Sequence, residues 1–109
     1  MIKRDITNVN VHPVMAVTMI EMNKKHLLPV ELEIVDKSDE EGVNIRLSSN
    51  WEDINAKTWL INKSAFLAQQ RMESYAPEAW DDMVESHLTV LQEYIEKQAR
   101  QKNHLNEEL

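Results

Sequence analysis

Along residues 51–75, Trp51, Ile54, Thr58, Ile61, Ala65, Ala68, Met72 and Tyr75 recur at alternating intervals of three and four. That spacing draws a seam along one side of a helix. Trp59, Leu60, Phe66 and Leu67 fall well off the seam. A surface helix normally carries one apolar stripe and one polar face. Apolar residues on two sides therefore predict a sandwiched helix, enclosed within its own domain or held between two subunits. Within a domain, the Ala65/Ala68 side is narrow enough to pack against a following helix. The Trp59/Leu60/Phe66/Leu67 side is bulky enough to cover a sheet.

Such a sheet is written upstream. Val30-Glu31-Leu32-Glu33-Ile34 alternates apolar with acidic residues, and Val43-Asn44-Ile45-Arg46-Leu47 alternates again. A period of two is that of a half-buried strand. Between them lies the polar stretch 37–42, which holds the only Gly of the chain. The pattern predicts a β-hairpin with Val30, Leu32, Ile34, Val43, Ile45 and Leu47 facing inward. A lone hairpin is marginal in water, so helices must cover its apolar face.

Earlier residues are less decisive. Ile6, Val9 and Val11 suit a short strand or an extended arm over residues 1–12. Pro13 suits the first turn of a helix, where its missing N–H costs nothing. Val14, Met15, Val17, Met19, Ile20 and Met22 follow closely, and Lys24, Lys25 and His26 suit a helix C-terminus. The β-branched residues among them leave a strand over Val14 to Met22 as the alternative. Further on, Ser49 with Glu52 reads as a capping box. Pro77 ends the long helix and opens another, because the residue before a proline is pushed out of the helical region. Trp80, Val84, Leu88, Leu91 and Ile95 trace the apolar face of that third helix. The polar tail 104–109 is expected to fray. These readings assemble into one α+β domain spanning 1–109, with the hairpin packed on a long central helix and a C-terminal helix, in the order α(or β)–β–β–α–α.

Composition removes several classes of function. The chain of 109 residues has no Cys, which excludes disulfides, zinc–thiolate sites and a Cys nucleophile. One Gly leaves no phosphate-cradling loop. No apolar run approaches the roughly 20 residues of a membrane span, and the N-terminal stretch is too polar for a secretory signal. A cytoplasmic protein is expected. His12, His26, His87 and His104 do not stand at metal-ligand spacing from one another, and no Gly-x-Ser-x-Gly elbow occurs. No enzymatic activity and no cofactor or metal are expected.

Charge is the feature with a functional reading. The net charge is −7, unevenly spread. Residues 30–55 and 76–96 each carry a net −6, and the second block contains no Lys or Arg. Glu78, Asp81, Asp82 and Glu85 stand close together at the start of the third helix. A rigid array of carboxylates can imitate nucleic-acid phosphates and occupy a basic groove. Trp59 and Trp80 are the candidate aromatic anchors, since binding energy concentrates on such residues. The expectation is a non-catalytic acidic protein, monomeric or homodimeric, that binds another protein through a basic surface and modulates or inhibits it. A nucleic-acid-processing partner is the most specific version, by analogy with small acidic phage and plasmid regulators. Two alternatives stand beside it. One is a dimeric nucleic-acid-binding regulator using Lys3 and Arg4, or Lys57, Lys63 and Arg71. The other is a structural subunit with the long helix at the joint.

Overall fold

The computed structural model describes residues 3–36 and 41–108, with side chains as far as Gln101. Strand β1 spans Arg4–Val11, helix α1 Pro13–Lys25, strand β2 Glu31–Ile34 and strand β3 Val43–Asn50. A 3-10 turn, Trp51–Asp53, leads into helix α2, Ile54–Glu73. A second one, Pro77–Ala79, leads into helix α3, Trp80–Glu108. The fold is α+β, with the expected order of elements. The turn residues 37–40 lie outside the described residues.

The three strands form one antiparallel sheet in the order β1-β3-β2. The expected hairpin forms, with Leu32 opposite Leu47 and Ile34 opposite Ile45. Of the two readings of residues 1–12, the strand is realised: β1 pairs along the whole of β3, from Arg4 opposite Asn50 to Val11 opposite Val43. Side chains alternate across a strand, so one sheet face carries Val9, Val11, Val43, Ile45, Leu47, Leu32 and Ile34 toward the core. The other face carries Arg4, Ile6, Asn8, Asn10, Asn44, Arg46, Ser48, Asn50, Glu31 and Glu33.

Residues 14–22 are helical. His12 caps α1, its Nδ1 accepting the Val14 N–H at 3.0 Å, and Pro13 occupies the first turn. Val14, Ala16, Val17, Thr18, Met19, Ile20 and Met22 are all buried, so α1 is apolar almost all round. That is the mark of a core helix. It packs against both α2 and α3 and lies between them. The helix with little wet surface is therefore α1.

Helix α2 differs from the two-sided burial expected of it. Its buried residues are Lys57, Leu60, Ser64 and Ala68, a single stripe. Trp51, Ile54, Trp59 and Phe66 are exposed. Of the Trp59/Leu60/Phe66/Leu67 side expected to cover the sheet, Leu60 and Leu67 join the core while Trp59 and Phe66 do not, and Leu91 from α3 and the apolar body of α1 complete the cover. Leu60 and Leu91 are fully buried, each contributing about 1.5–3 kcal/mol relative to exposure. The Ala65/Ala68 side also divides: Ala65 is exposed, and Ala68 meets Val14 of α1 and Met83 of α3 in a small second cluster.

The capping box at Ser49 and Glu52 does not form. Ser49 remains a strand residue, opposite Asp5, and its hydroxyl donates to the Asn50 carbonyl at 3.0 Å. The N-cap of α2 is Asp53, without a side-chain capping bond. Pairing of β3 with β1 as far as Asn50 overrides the local signal. The helix backbone of α3 continues past residue 103 to Glu108.

Candidate functional site

The end of α2 and one proline-led 3-10 turn place the acidic block. Ser74 ends α2, its Oγ donating to the Arg71 carbonyl at 2.6 Å. Ala76 is extended, as a residue before proline should be, and the Ala79 N–H closes the 3-10 turn on the Ala76 carbonyl at 2.9 Å. Helix α3 then begins with Asp81 and Asp82 in its first turn. Negative charge is favoured there, beside the unpaired N–H groups and the positive end of the helix dipole. Met83 is buried and anchors this end of α3 against Val14 and Ala68.

Glu78, Asp81, Asp82 and Glu85 are all exposed. At 3.6 residues per turn Asp81, Asp82 and Glu85 fall within about 100° of arc on α3, on the side away from Met83, and Glu78 precedes them in the 3-10 turn. Glu73, at the end of α2, is exposed nearby in sequence. No Lys or Arg occurs between Met72 and Glu96. Among the described residues, none of these acids forms an ion pair. The strand acids of the first acidic block behave otherwise: Glu31 pairs with Arg4 at 3.3 Å and Glu33 with Arg46 at 3.1 Å. The second block is thus the larger field without a counter-charge. The turn acids Asp39 and Glu40 of the first block lie outside the described residues.

The two candidate anchors are placed differently. Trp80 is 39% exposed at the start of α3, but it sits on the Met83 flank of the helix, beside the acids rather than among them. Trp59 is 40% exposed and meets His26 edge-on, ring centres 5.1 Å apart. It lies 14 residues before the end of α2, about 21 Å along the axis at 1.5 Å per residue. Trp80 shares the acidic corner; Trp59 does not.

The bases assigned to the nucleic-acid alternative are mostly engaged. Lys57 is 2% exposed, and its ammonium is held by the Asp5 carboxylate, the Asp5 carbonyl at 3.0 Å and Thr7 Oγ1 at 2.9 Å. It cannot reach a phosphate. Arg71 pairs with Glu21 at 3.0 Å. Lys63 lies over the exposed ring of Phe66, 5.9 Å from its centre.

Other features were not visible in the sequence. Gln98 of α3 accepts the Ile34 N–H at 3.1 Å and donates to the Ile34 carbonyl at 3.0 Å. Tyr94 donates its hydroxyl to the Leu32 carbonyl at 3.4 Å, and burial raises its pKa above the ordinary value. His87 donates from Nδ1 to the Met83 carbonyl at 2.7 Å. His12 has its pKa lowered, first by burial and then by the neighbouring His87 charge. A groove of about 440 Å³ runs between α1 and α3, floored by Val17, Ile20 and Tyr94 and rimmed by charges of both signs. Among the described residues no group of three His, Cys, Asp or Glu is arranged to hold a metal ion, and no helix is long and apolar enough to cross a membrane.

No protein-family model, no curated protein and no solved structure matches this chain.

Proposed function

We propose that this chain is a non-catalytic interaction protein whose acidic corner docks on a basic surface of another protein and modulates or blocks it. The carrying observation is the set Glu78, Asp81, Asp82 and Glu85: four exposed carboxylates at the start of α3 and in the turn before it, without an ion pair among the described residues and without a base nearby in sequence. Unneutralised charge on a rigid helix end costs self-repulsion, which a basic partner would relieve. Such an array also speeds encounter with a partner of opposite charge. Trp80, half-exposed on the adjoining flank, supplies apolar contact. The most specific partner is a nucleic-acid-processing protein, whose basic groove the carboxylates would enter in place of phosphates.

The test is affinity capture with the purified chain, followed by mass spectrometry and a salt series. The expected result is a basic, nucleic-acid-binding protein released steeply by salt and lost when Asp81, Asp82 and Glu85 are changed together to Asn, Asn and Gln. Retention of the same partner by this neutralised variant would overturn the acidic-corner reading.

A further inference from the structure

The two edges of the sheet are treated differently. The Val35 N–H donates to the Asn44 carbonyl at 2.9 Å. In an antiparallel ladder, residues face their neighbour and face away from it alternately. Leu32 and Ile34 therefore turn their backbone groups away from β3. Of those four outward groups α3 engages three: Tyr94 the Leu32 carbonyl, and Gln98 the N–H and carbonyl of Ile34. The β2 edge is covered by α3.

Strand β1 alternates in the same way. The Trp51 N–H donates to the Lys3 carbonyl at 3.0 Å. Odd-numbered residues of β1 thus face β3, and Ile6, Asn8 and Asn10 turn their N–H and C=O outward. Among the described residues, no group bonds to these outward backbone atoms. The strand is eight residues long, with no proline and no bulge, and beyond Arg4 and Asp5 at its start it carries no charge. Those are the devices by which exposed edges are ordinarily kept from pairing. Ile6 is 57% exposed and is the sole apolar side chain that the strands place on the outer face of the sheet.

We propose that the free edge of β1 is a self-association site. The β1 strand of a second copy adds antiparallel across a two-fold axis, joining two three-stranded sheets into one of six. The occupant is a second copy for three reasons. First, two such edges satisfy each other's outward groups in full, as an isologous contact requires. Second, Arg4 and Asp5 both lie at the start of the strand, so antiparallel pairing puts the two copies' charges at opposite ends. With the axis at Thr7, Arg4 faces Asn10 and Ile6 faces Asn8 of the second copy, and like charges never meet. Third, α2 supplies a matching layer above the edge. Lys57 points at β1, and Ile54, Thr58, Ile61 and Ala65 lie within about 100° of it on the helix, on the side away from Trp59 and its contact with α1. Ile54, Thr58 and Ala65 are exposed and Ile61 half-buried. Their spacing of four, three and four is part of the seam read from the sequence, and the small Thr58 and Ala65 admit a second helix closely.

The test is sedimentation of the full chain over a concentration series, with amide hydrogen exchange read by NMR. A dimer is expected in which the Ile6, Asn8 and Asn10 amides are protected and lose protection on dilution. Thr7 and Val9, which face β3, should stay protected throughout. Asn8→Pro removes an N–H that β3 does not use and should weaken dimerisation at least about tenfold. Ala65→Glu should do the same from the helix layer. Val90→Glu, in the α1/α3 groove, should leave the dimer intact. A monomer at every concentration would overturn the proposal. So would a dimer that survives both Asn8→Pro and Ala65→Glu, or one in which Ile6, Asn8 and Asn10 exchange freely. Should Asn8→Pro fail to fold, Ala65→Glu and the exchange pattern decide alone.

Discussion

Lys57 and Asp5 form a buried ion pair between α2 and β1, and the Lys57 side chain is only 3% exposed. Its three protons have three acceptors, the Asp5 carboxylate, the Asp5 carbonyl and Thr7 Oγ1. Removing one partner of a buried pair leaves an uncompensated charge, which costs about 3–5 kcal/mol. Because the Asp5 side chain is 25% exposed, Asp5→Ala should fall near the lower end, about 3 kcal/mol. Lys57→Met in the Asp5→Ala background should recover most of the loss, since it removes the stranded ammonium. Urea denaturation checks both, and a cost for Asp5→Ala below about 1 kcal/mol, the value of a surface pair, would refute the structural role.

Leu27 has φ of 48°, the left-handed region that favours glycine. It follows the last turn of α1 in a Schellman arrangement. The Leu28 N–H donates to the Asn23 carbonyl at 3.3 Å, and the Leu27 N–H to the Lys24 carbonyl at 3.4 Å. The Leu27 side chain is 87% exposed, so it contributes almost no burial. Leu27→Gly should therefore stabilise the fold by about 0.5–1 kcal/mol, net of the extra entropy of glycine in the unfolded chain. A lower melting temperature for this variant would show that Leu27 makes a contact of its own.

His12 links stability to pH. It caps α1 by accepting a hydrogen bond at Nδ1, which requires that nitrogen to be unprotonated. Its pKa lies below the usual 6.5. Above that value the ring is neutral in both states, and the stabilising contribution is complete. Below it the unfolded chain takes up the proton first, so stability declines as pH falls toward the folded value. Ser caps a helix without titrating. His12→Ser should lose less stability than the parent between about pH 7.5 and 5.5, as measured by thermal unfolding at each pH. Equal losses would remove His12 from the account.

The hairpin was legible because alternation is a local signal, and its inward set is the set found in the core. The helix boundaries at Pro13 and Pro77 were legible for the same reason. The choice of central helix was not. Counting Trp51, Trp59 and Phe66 as core residues treats large aromatics as buried by kind, whereas Lys57 and Ser64 occupy the buried stripe of α2. Lys57 can do so because Asp5 and Thr7, some fifty residues earlier, receive its protons, and no local pattern records that pairing. Ser49 carries a capping signal but stays in a strand because its pairing partner is Asp5, again distant in sequence. At the acidic corner, the run of acids without a base was plain in the sequence. That Glu31 and Glu33 are neutralised by Arg4 and Arg46 while Asp81 and Asp82 have no ion-pair partner among the described residues depends on strand pairing, and became visible only in three dimensions.

Gln98 gives the sheet a valence. A sheet open at both edges can take a partner on each side, and each addition leaves a new edge to be filled, so growth has no natural end. Here the Gln98 carboxamide behaves as a terminating residue set at right angles to the strands, occupying both backbone groups of Ile34. Addition at β1 then uses up the remaining open edge, and assembly stops at two. Losing Gln98 together with Tyr94 would do more than loosen one helix: it would convert a chain with a single bonding edge into one with two, the condition for a fibre.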